Sequence, residues 1–281
     1  MIKKYDKSGK TVLITGASSG IGASFARFLA CEKGMYVLLA ARREDRLKNI
    51  SSQITCHNGD VEFYPADLSI EKERLDIFKK INEKHKVDIL INNAGFGWYG
   101  YYNKMPWEIA SQMLAINIRA VAHLVSLFLP GMVREKSGHI INIGSIAGIF
   151  PNQGVALYSA TKAFLDSFTT ALYRELKGSG VNISVMRLGA VKTEFFEKAK
   201  NLENSGSIPA EKLGISVEKL NRSLWGLIRR PRRVIYAPAL LWFAGFLEPL
   251  MGSILDKLGP LLLKKQKGIQ NEKKKGTSCL V

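Results

Sequence analysis

Thr15-Gly16-Ala17-Ser18-Ser19-Gly20-Ile21-Gly22 stands between a short apolar run, Val12-Leu13-Ile14, and a stretch in which Ala23, Phe25, Ala26, Phe28, Leu29 and Ala30 recur at helical spacing. The run reads as a buried strand, so the order is strand, glycine-rich turn, helix. The first amides of a helix are unpaired and its dipole favours an anion, so a cofactor pyrophosphate can sit at such a turn. Glycines permit the tight turn and keep side chains out of the way of the phosphates. Their positions, 16, 20 and 22, do not follow the G-x-G-x-x-G spacing of most dinucleotide-binding turns. By itself the loop fits a strand–helix turn without a ligand equally well.

Outward from this turn the chain keeps alternating strands and helices. Strands are expected at 11–15, 36–41, 61–65, 87–91, 139–143, 183–187 and 233–236. Helices are expected at 19–33, 44–58, from Ser69 to about 84, 108–135, 155–176 and 216–229. Gly34 reads as the stop of the first helix, Ser69 as the N-cap of the third and Ser216 as the cap of the last. The aliphatic runs require both faces of a sheet to be covered, as in parallel sheets. The fold class is therefore α/β, a single doubly wound domain with a parallel sheet of about seven strands and helices on both faces. At 281 residues, 46% of them hydrophobic, the chain suits one such domain, assigned to residues 1–268.

Two arginines, Arg42 and Arg43, follow the second strand, and no acid appears before Glu44. In NAD-binding units an acidic residue about 20 residues past the glycine turn holds the ribose 2′-hydroxyl, whereas an arginine accommodates a 2′-phosphate. A guanidinium matches phosphate geometry, so the expected cofactor is NADP(H). The alternative is that both arginines only open the next helix and face solvent.

The formal net charge is +17, which favours anionic partners. Most of it reads as a lysine-rich solvated surface. No aromatic-interleaved basic patch or nucleic-acid motif appears, so no nucleic-acid partner is expected. Cys31, Cys56 and Cys279 show no metal spacing and cannot all pair. No metal site is expected, and a reducing, cytoplasmic setting is the natural reading. The first ten residues carry charges with no apolar stretch behind them and do not read as a signal peptide.

The chemistry centres on Ser145, just past the fifth strand, and on Tyr158-Ser159-Ala160-Thr161-Lys162, thirteen residues later. Tyr158 and Lys162 are an i, i+4 pair on one helix face. Hydride transfer to a ketone leaves an alkoxide that needs a proton and a stabilised oxygen. Tyrosine is a poor acid near neutrality, with an ordinary pKa of ~10, and a nearby ammonium favours its phenolate. Ser145 could donate to the substrate oxygen. A lone Y-x-x-x-K is common on helices and could be a surface pair. Here it follows Asn92-Asn93-Ala94-Gly95 after the fourth strand and Asn117 within the long helical pattern.

In this order the T-G-x-x-x-G-x-G turn, the N-N-A-G turn, the helix asparagine, the serine and the Y-x-x-x-K pair resemble the short-chain dehydrogenase/reductase family, from about residue 10 to about 195. The resemblance implies a carbonyl orienter at Ser145, a general acid/base at Tyr158, and Lys162 lowering the tyrosine pKa and holding the nicotinamide ribose. It implies that Asn117 supports the lysine through a water. Cofactor contacts fall on Gly16, Ser18, Ser19, Gly20, Ile21, Gly22, Arg42, Arg43, Asp67, Leu68, Asn93, Ala94, Gly95, Tyr158, Lys162, Val191 and Thr193, with Asp67 at the adenine ring. One departure stands out: Leu188-Gly189 replaces the family's usual Pro-Gly, which leaves the path of that loop open. The expected activity is NADP(H)-dependent interconversion of an apolar ketone, a 3-oxoacyl group among them, and its secondary alcohol. A non-catalytic NADP-binding sensor or a membrane-surface adaptor is the alternative.

Residues 192–215 are expected to form a substrate lid, with Phe195 and Phe196 joining Trp98, Ile146, Ile149 and Phe150 as pocket walls. Residues 237–268 are apolar but interrupted by Pro238, Glu248 and Pro249, so they fall short of a clean spanning helix. A pocket lid, a subunit contact and an interfacial anchor all fit; the expectation is a pocket-shaping element with weak peripheral membrane contact. Residues 269–281 read as a disordered basic tail. Family members are often dimers or tetramers, which implies a homodimer or homotetramer here.

Overall fold

Seven apolar runs become seven strands in the computed structural model, which describes residues 9–191 and 214–243. The strands are β1 (Thr11–Thr15), β2 (Tyr36–Ala41), β3 (Val61–Pro65), β4 (Ile89–Asn92), β5 (Gly138–Ser145), β6 (Val181–Leu188) and β7 (Val234–Ala237). They form one parallel sheet in the order β3-β2-β1-β4-β5-β6-β7. The order reverses between β1 and β4. Ligands of open α/β sheets bind at that switch point, outside the carboxyl ends of the strands.

Neighbouring residues of β1 bury themselves in opposite layers. Val12 and Ile14 join the cluster under α1 (Gly20–Arg27), α2 (Glu44–Cys56) and α7 (Val217–Arg229). Leu13 joins the cluster under α3 (Glu71–Lys84), α5 (Val121–Arg134) and α6 (Ala156–Glu175); α4, which leads into α5, is Trp107–Leu114. The central strands β1, β2 and β4 are buried almost throughout, which explains their aliphatic runs. Gly34, at φ +62, ends the helical run after α1 as expected. The long pattern from 108 is a continuous helix whose middle, Ala115–Ala120, widens to a π-type turn between α4 and α5.

Two local expectations change. Ser69 does not cap α3: Ile70 holds that position without a side-chain bond, and both the amide and the hydroxyl of Ser69 donate to Asp67 Oδ1, at 2.9 and 2.7 Å. The loop at Leu188-Gly189 is ordered by strand pairing. Leu188 extends β6 by one rung, opposite Ser145 on one side and Ala237 on the other, and the Gly189 amide donates to Ala237 O at 3.0 Å. Thr193, Phe195, Phe196, most of 192–215, the stretch from 244 to 268 and the tail at 269–281 lie outside the described residues. Val191, just before the expected lid, meets Ile215, its last residue, in a parallel bridge.

Candidate active site

The glycine turn is built from the two strands that part at the switch point. Gly16 and Gly20 adopt φ +66 and +54, a region in which side chains are strained. Space is the second constraint: a Cβ at Gly22 would come within 2.5 Å of Gly16 O and 2.6 Å of Asn93 Nδ2. Asn93 donates its side-chain amide to Thr15 O at 2.9 Å and to Gly16 O at 3.3 Å. The backbone amides of Asn93 and Ala94 both donate to Thr15 Oγ1 at 3.0 Å, and Thr15 Oγ1 donates to Ile91 O at 3.3 Å. The N-N-A-G segment thus clamps the turn. Sequence reasoning missed Thr15 as the other half of the clamp; a hydroxyl in an otherwise aliphatic strand was the available signal.

Ser19 flanks α1 without making a capping bond, which leaves the first amides of the helix without that acceptor. Arg43 reaches back over the same turn, with Nη2 donating to Ser19 Oγ at 2.8 Å and Ser18 Oγ at 3.1 Å. It therefore does not simply face solvent. Arg42 is mostly exposed and lies 3.7 Å from Asp67 Oδ2. Glu44, the nearest acid in sequence, turns away into an i, i+4 pair with Lys48 at 2.8 Å. Leu68 is buried and its carbonyl accepts from the buried Arg74 at 2.7 Å. Two guanidinium groups, an uncapped helix start and a turn that excludes side chains fit a dinucleotide carrying a 2′-phosphate.

Four further groups meet where β5 and α6 converge. The hydroxyls of Ser145 and Tyr158 are hydrogen-bonded. The Lys162 ammonium is buried, donates to Ile143 O at 2.8 Å, and lies 5.7 Å from the centre of the Tyr158 ring. Asn117, in the widened helical turn, accepts from Phe96 N at 3.2 Å and donates to Phe96 O and Thr161 Oγ1, both at 3.0 Å. Thr161 in turn donates to Tyr158 O at 2.7 Å. Gly95 lies between Asn117 and Lys162: a Cβ there would be 3.0 Å from Asn117 Oδ1 and 3.7 Å from Lys162 Nζ. The expected tetrad is therefore assembled, and Thr161 is an unforeseen member that ties Asn117 to the tyrosine's turn.

The electrostatics differ from the expectation at Tyr158. Burial pushes its hydroxyl up to about 12, against which the Ser145 bond is the lowering influence; the lysine does not bring it below its ordinary value. Burial also pushes Lys162 down to about 8, opposed by the negative charge of Asp166. At neutral pH the tyrosine keeps its proton and the lysine its charge.

The aromatic loop 97–102 is tied to the segment that precedes α6, with the Gly100 amide donating to Gly154 O at 2.8 Å. Trp98 is buried beneath Gly100, while Tyr101, Tyr102 and Trp107 are exposed. Ile146, Ile149 and Phe150 are partly buried in the segment after Ser145. Past β7, Leu241 covers the loop after β6, since a Cβ at Gly189 would fall 2.6 Å from its Cδ1. A separate cavity of about 540 Å³ lies on another stripe of α6, lined by Ala156, Ser159, Ala160 and Ala163 with the 147–153 loop.

Residues 10–204 match the short chain dehydrogenase family. An uncharacterized oxidoreductase of Staphylococcus saprophyticus is 37% identical over 186 residues, covering 66% of this chain and 79% of that protein. A very-long-chain 3-oxoacyl-CoA reductase of Anas platyrhynchos is 36% identical over 187 residues, 63% of this chain and 59% of that one. Among solved structures, a short-chain dehydrogenase from Sphingobium yanoikuyae in complex with NADPH superposes with a TM-score of 0.74 at 30% identity, covering 86% of this chain and 95% of that one. The match spans well over half of the sequence and includes the glycine turn and the Ser145, Tyr158 and Lys162 cluster, and the chain belongs to the short-chain dehydrogenase family.

Proposed function

We propose that the protein is an NADP(H)-dependent reductase that interconverts an apolar ketone, or a 3-oxoacyl group, and its secondary alcohol, with Tyr158 as the general acid/base. The observation that carries this reading is the Ser145–Tyr158 hydrogen bond beside the buried Lys162 ammonium, at the switch point that also holds the glycine turn. A protein that only bound a dinucleotide would have no use for that proton donor.

NADPH, when bound, supplies the hydride. The negative charge that appears on the substrate oxygen is met by the Ser145 hydroxyl, and Tyr158 transfers its proton to the same oxygen. A pKa of about 12 keeps Tyr158 protonated and ready to donate near neutrality. The tyrosinate left behind is stabilised by the Lys162 charge and the Ser145 bond. Lys162 commits one of its three N–H groups to Ile143, which leaves donors for the nicotinamide ribose. Asn117 holds Thr161 and Phe96 in place and supports the lysine through a water. Asp67 and Leu68 would border the adenine, and Arg43, with Arg42, would take the 2′-phosphate. Asn93, Ala94, Gly95 and Val191 would complete the cofactor wall.

The apolar substrate class is supported by the partly buried Ile146, Ile149 and Phe150, by Leu241 against Gly189, and by the name of the duck relative. Leu240, Trp242 and Phe243 face outward, which supports a weak peripheral attraction to a membrane surface for a cytoplasmic homodimer or homotetramer. A turnover screen of apolar ketones and alcohols with NADPH or NADP+ tests the main reading. Tight NADPH binding with no turnover of any carbonyl, unchanged in Tyr158→Phe, would leave it without support.

A further inference from the structure

Asp166 stands one helical turn beyond Lys162 on α6 and is 7% exposed. Three elements meet at its carboxylate. Oδ1 accepts from Arg187 Nε, on β6, at 2.8 Å. Arg187 Nη1 donates in turn to the Tyr236 hydroxyl on β7, and the guanidinium lies 5.2 Å from that ring's centre. Oδ2 is buried, has no hydrogen-bond partner among the described residues, and faces Gly148, where a Cβ would come within 2.8 Å of it. Gly148 closes the short turn Ile146–Gly148 that begins directly after Ser145. One side chain therefore touches the helix bearing Tyr158 and Lys162, the end of β6, and the turn after the serine.

Stability is a poor reason for such a pair. Desolvating two charges costs about as much as their attraction returns, and apolar replacements are often as stable or more so. The surroundings of Lys162 suggest a different reason. Facing it are Tyr158 on its own helix, Ser145 and the Ile143 carbonyl on β5, and Asn117 across Gly95. None of these carries a negative charge at neutral pH. Asp166, ion-paired with Arg187 at 2.8 Å, does; burial pushes its carboxyl up, opposed by Arg187 and Lys162. Its charge acts on the ammonium from the next turn, and Arg187, backed by Tyr236, fixes its position.

We propose that Asp166, clamped by Arg187, is a positioning residue that keeps Lys162 charged in a dry site and holds the turn after Ser145 against α6. The proposal rests on the reductase reading for its kinetic consequences, while the charge of Lys162 is measurable without substrate or cofactor. The variants are Asp166→Asn, which keeps shape and an acceptor for Arg187, and Asp166→Glu, which keeps the charge. Lys162 is followed by NMR titration of lysine-labelled protein, alongside pH profiles of kcat and KM and thermal melts.

In Asp166→Asn, Lys162 titrates about one pH unit lower, and the basic limb of kcat moves acidward by the same amount, about a fivefold loss at pH 8. The ketone KM changes little, and Asp166→Glu recovers most of both effects. The proposal is overturned if the Lys162 titration of Asp166→Asn superimposes on that of the unaltered protein, or if kcat falls only in proportion to the folded fraction. Absence of turnover in the unaltered protein would defeat the reductase reading instead, and the Lys162 titration would still decide this proposal.

Discussion

Lys162 Nζ on α6 donates to the main-chain oxygen of Ile143 on β5, at 2.8 Å. The bond fixes the ammonium relative to the strand that ends in Ser145, so the serine, the tyrosine and the lysine share one frame. Tyr158→Phe keeps the ring and this frame but removes the proton. Turnover should fall by about 10²–10⁴, the usual range for a lost general acid, while NADPH affinity stays within about twofold. Lys162→Ala should damage both. Steady-state rates and fluorescence titration of NADPH check this, and near-normal turnover in Tyr158→Phe would sink the assignment.

The same site predicts a pH dependence. Lys162 is pushed down to about 8 and Tyr158 up to about 12. As pH rises through about 8 the lysine loses its charge while the tyrosine still holds its proton. The reductive rate should therefore decline on the alkaline side near pH 8, well before tyrosine ionises. A flat kcat profile from pH 7 to about 10 would contradict the proposed role of the ammonium.

Cofactor preference should follow Arg43. Its bonds to Ser18 and Ser19 place a guanidinium over the turn, whereas Arg42 is mostly exposed beside Asp67. A charge-assisted bond to phosphate contributes about 1.5–3 kcal/mol, so Arg43→Ala should weaken NADPH by roughly 10–100-fold and NADH by much less. Arg42→Ala should cost less than Arg43→Ala. Equal losses for both cofactors would show that the arginines do not read the 2′-phosphate.

The alternation of strands and helices was legible because a parallel sheet covered on both faces needs unbroken aliphatic strands, and the site motifs sit at their ends. What was not legible were pairings across sequence distance. Asp166 with Arg187, Thr15 with Asn93, and Asn117 with Thr161 are ordinary polar residues until the fold brings them together. The third helix begins one residue later than Ser69, with Ile70 at its N-cap and Ser69 bonded back to Asp67. The sign of the Tyr158 shift was missed because spacing reveals a neighbouring ammonium but not the depth of burial. Leu188 in place of proline became intelligible only as a paired rung between β5 and β7.

Thr15 offers a test of the clamp that spares every group proposed for chemistry. Its buried hydroxyl serves two amides and one carbonyl. Thr15→Val keeps the shape and leaves the Ala94 amide without its acceptor, while Asn93 N and Ile91 O keep each other at 3.1 Å. Each unsatisfied buried group costs about 1–3 kcal/mol, so the variant should lose at least that much stability. NADPH affinity should fall with it, because the turn is no longer held against β4. Denaturant unfolding with and without NADPH measures both, and an unchanged midpoint would show that the clamp contributes nothing.

His139 predicts how the fold responds to acid. It is buried at the start of β5, with Nε2 2.8 Å from Ser184 Oγ, and burial, helped by the charge of Lys10, pushes its imidazole down to about 4. In the unfolded chain it titrates near 6.5. Between about 4 and 6.5 the unfolded state binds a proton that the folded state refuses, so stability must rise with pH across that window. The neutral histidine's contribution is complete above about 6.5 and is lost as pH falls towards 4. The difference of about 2.5 units corresponds to roughly 3 kcal/mol. His139→Gln removes the titrating group and should flatten this part of the acid limb, whatever stability it loses at neutral pH. Urea unfolding from pH 4 to 8 compares the two slopes. Identical slopes would mean that acid destabilisation arises elsewhere in the sheet.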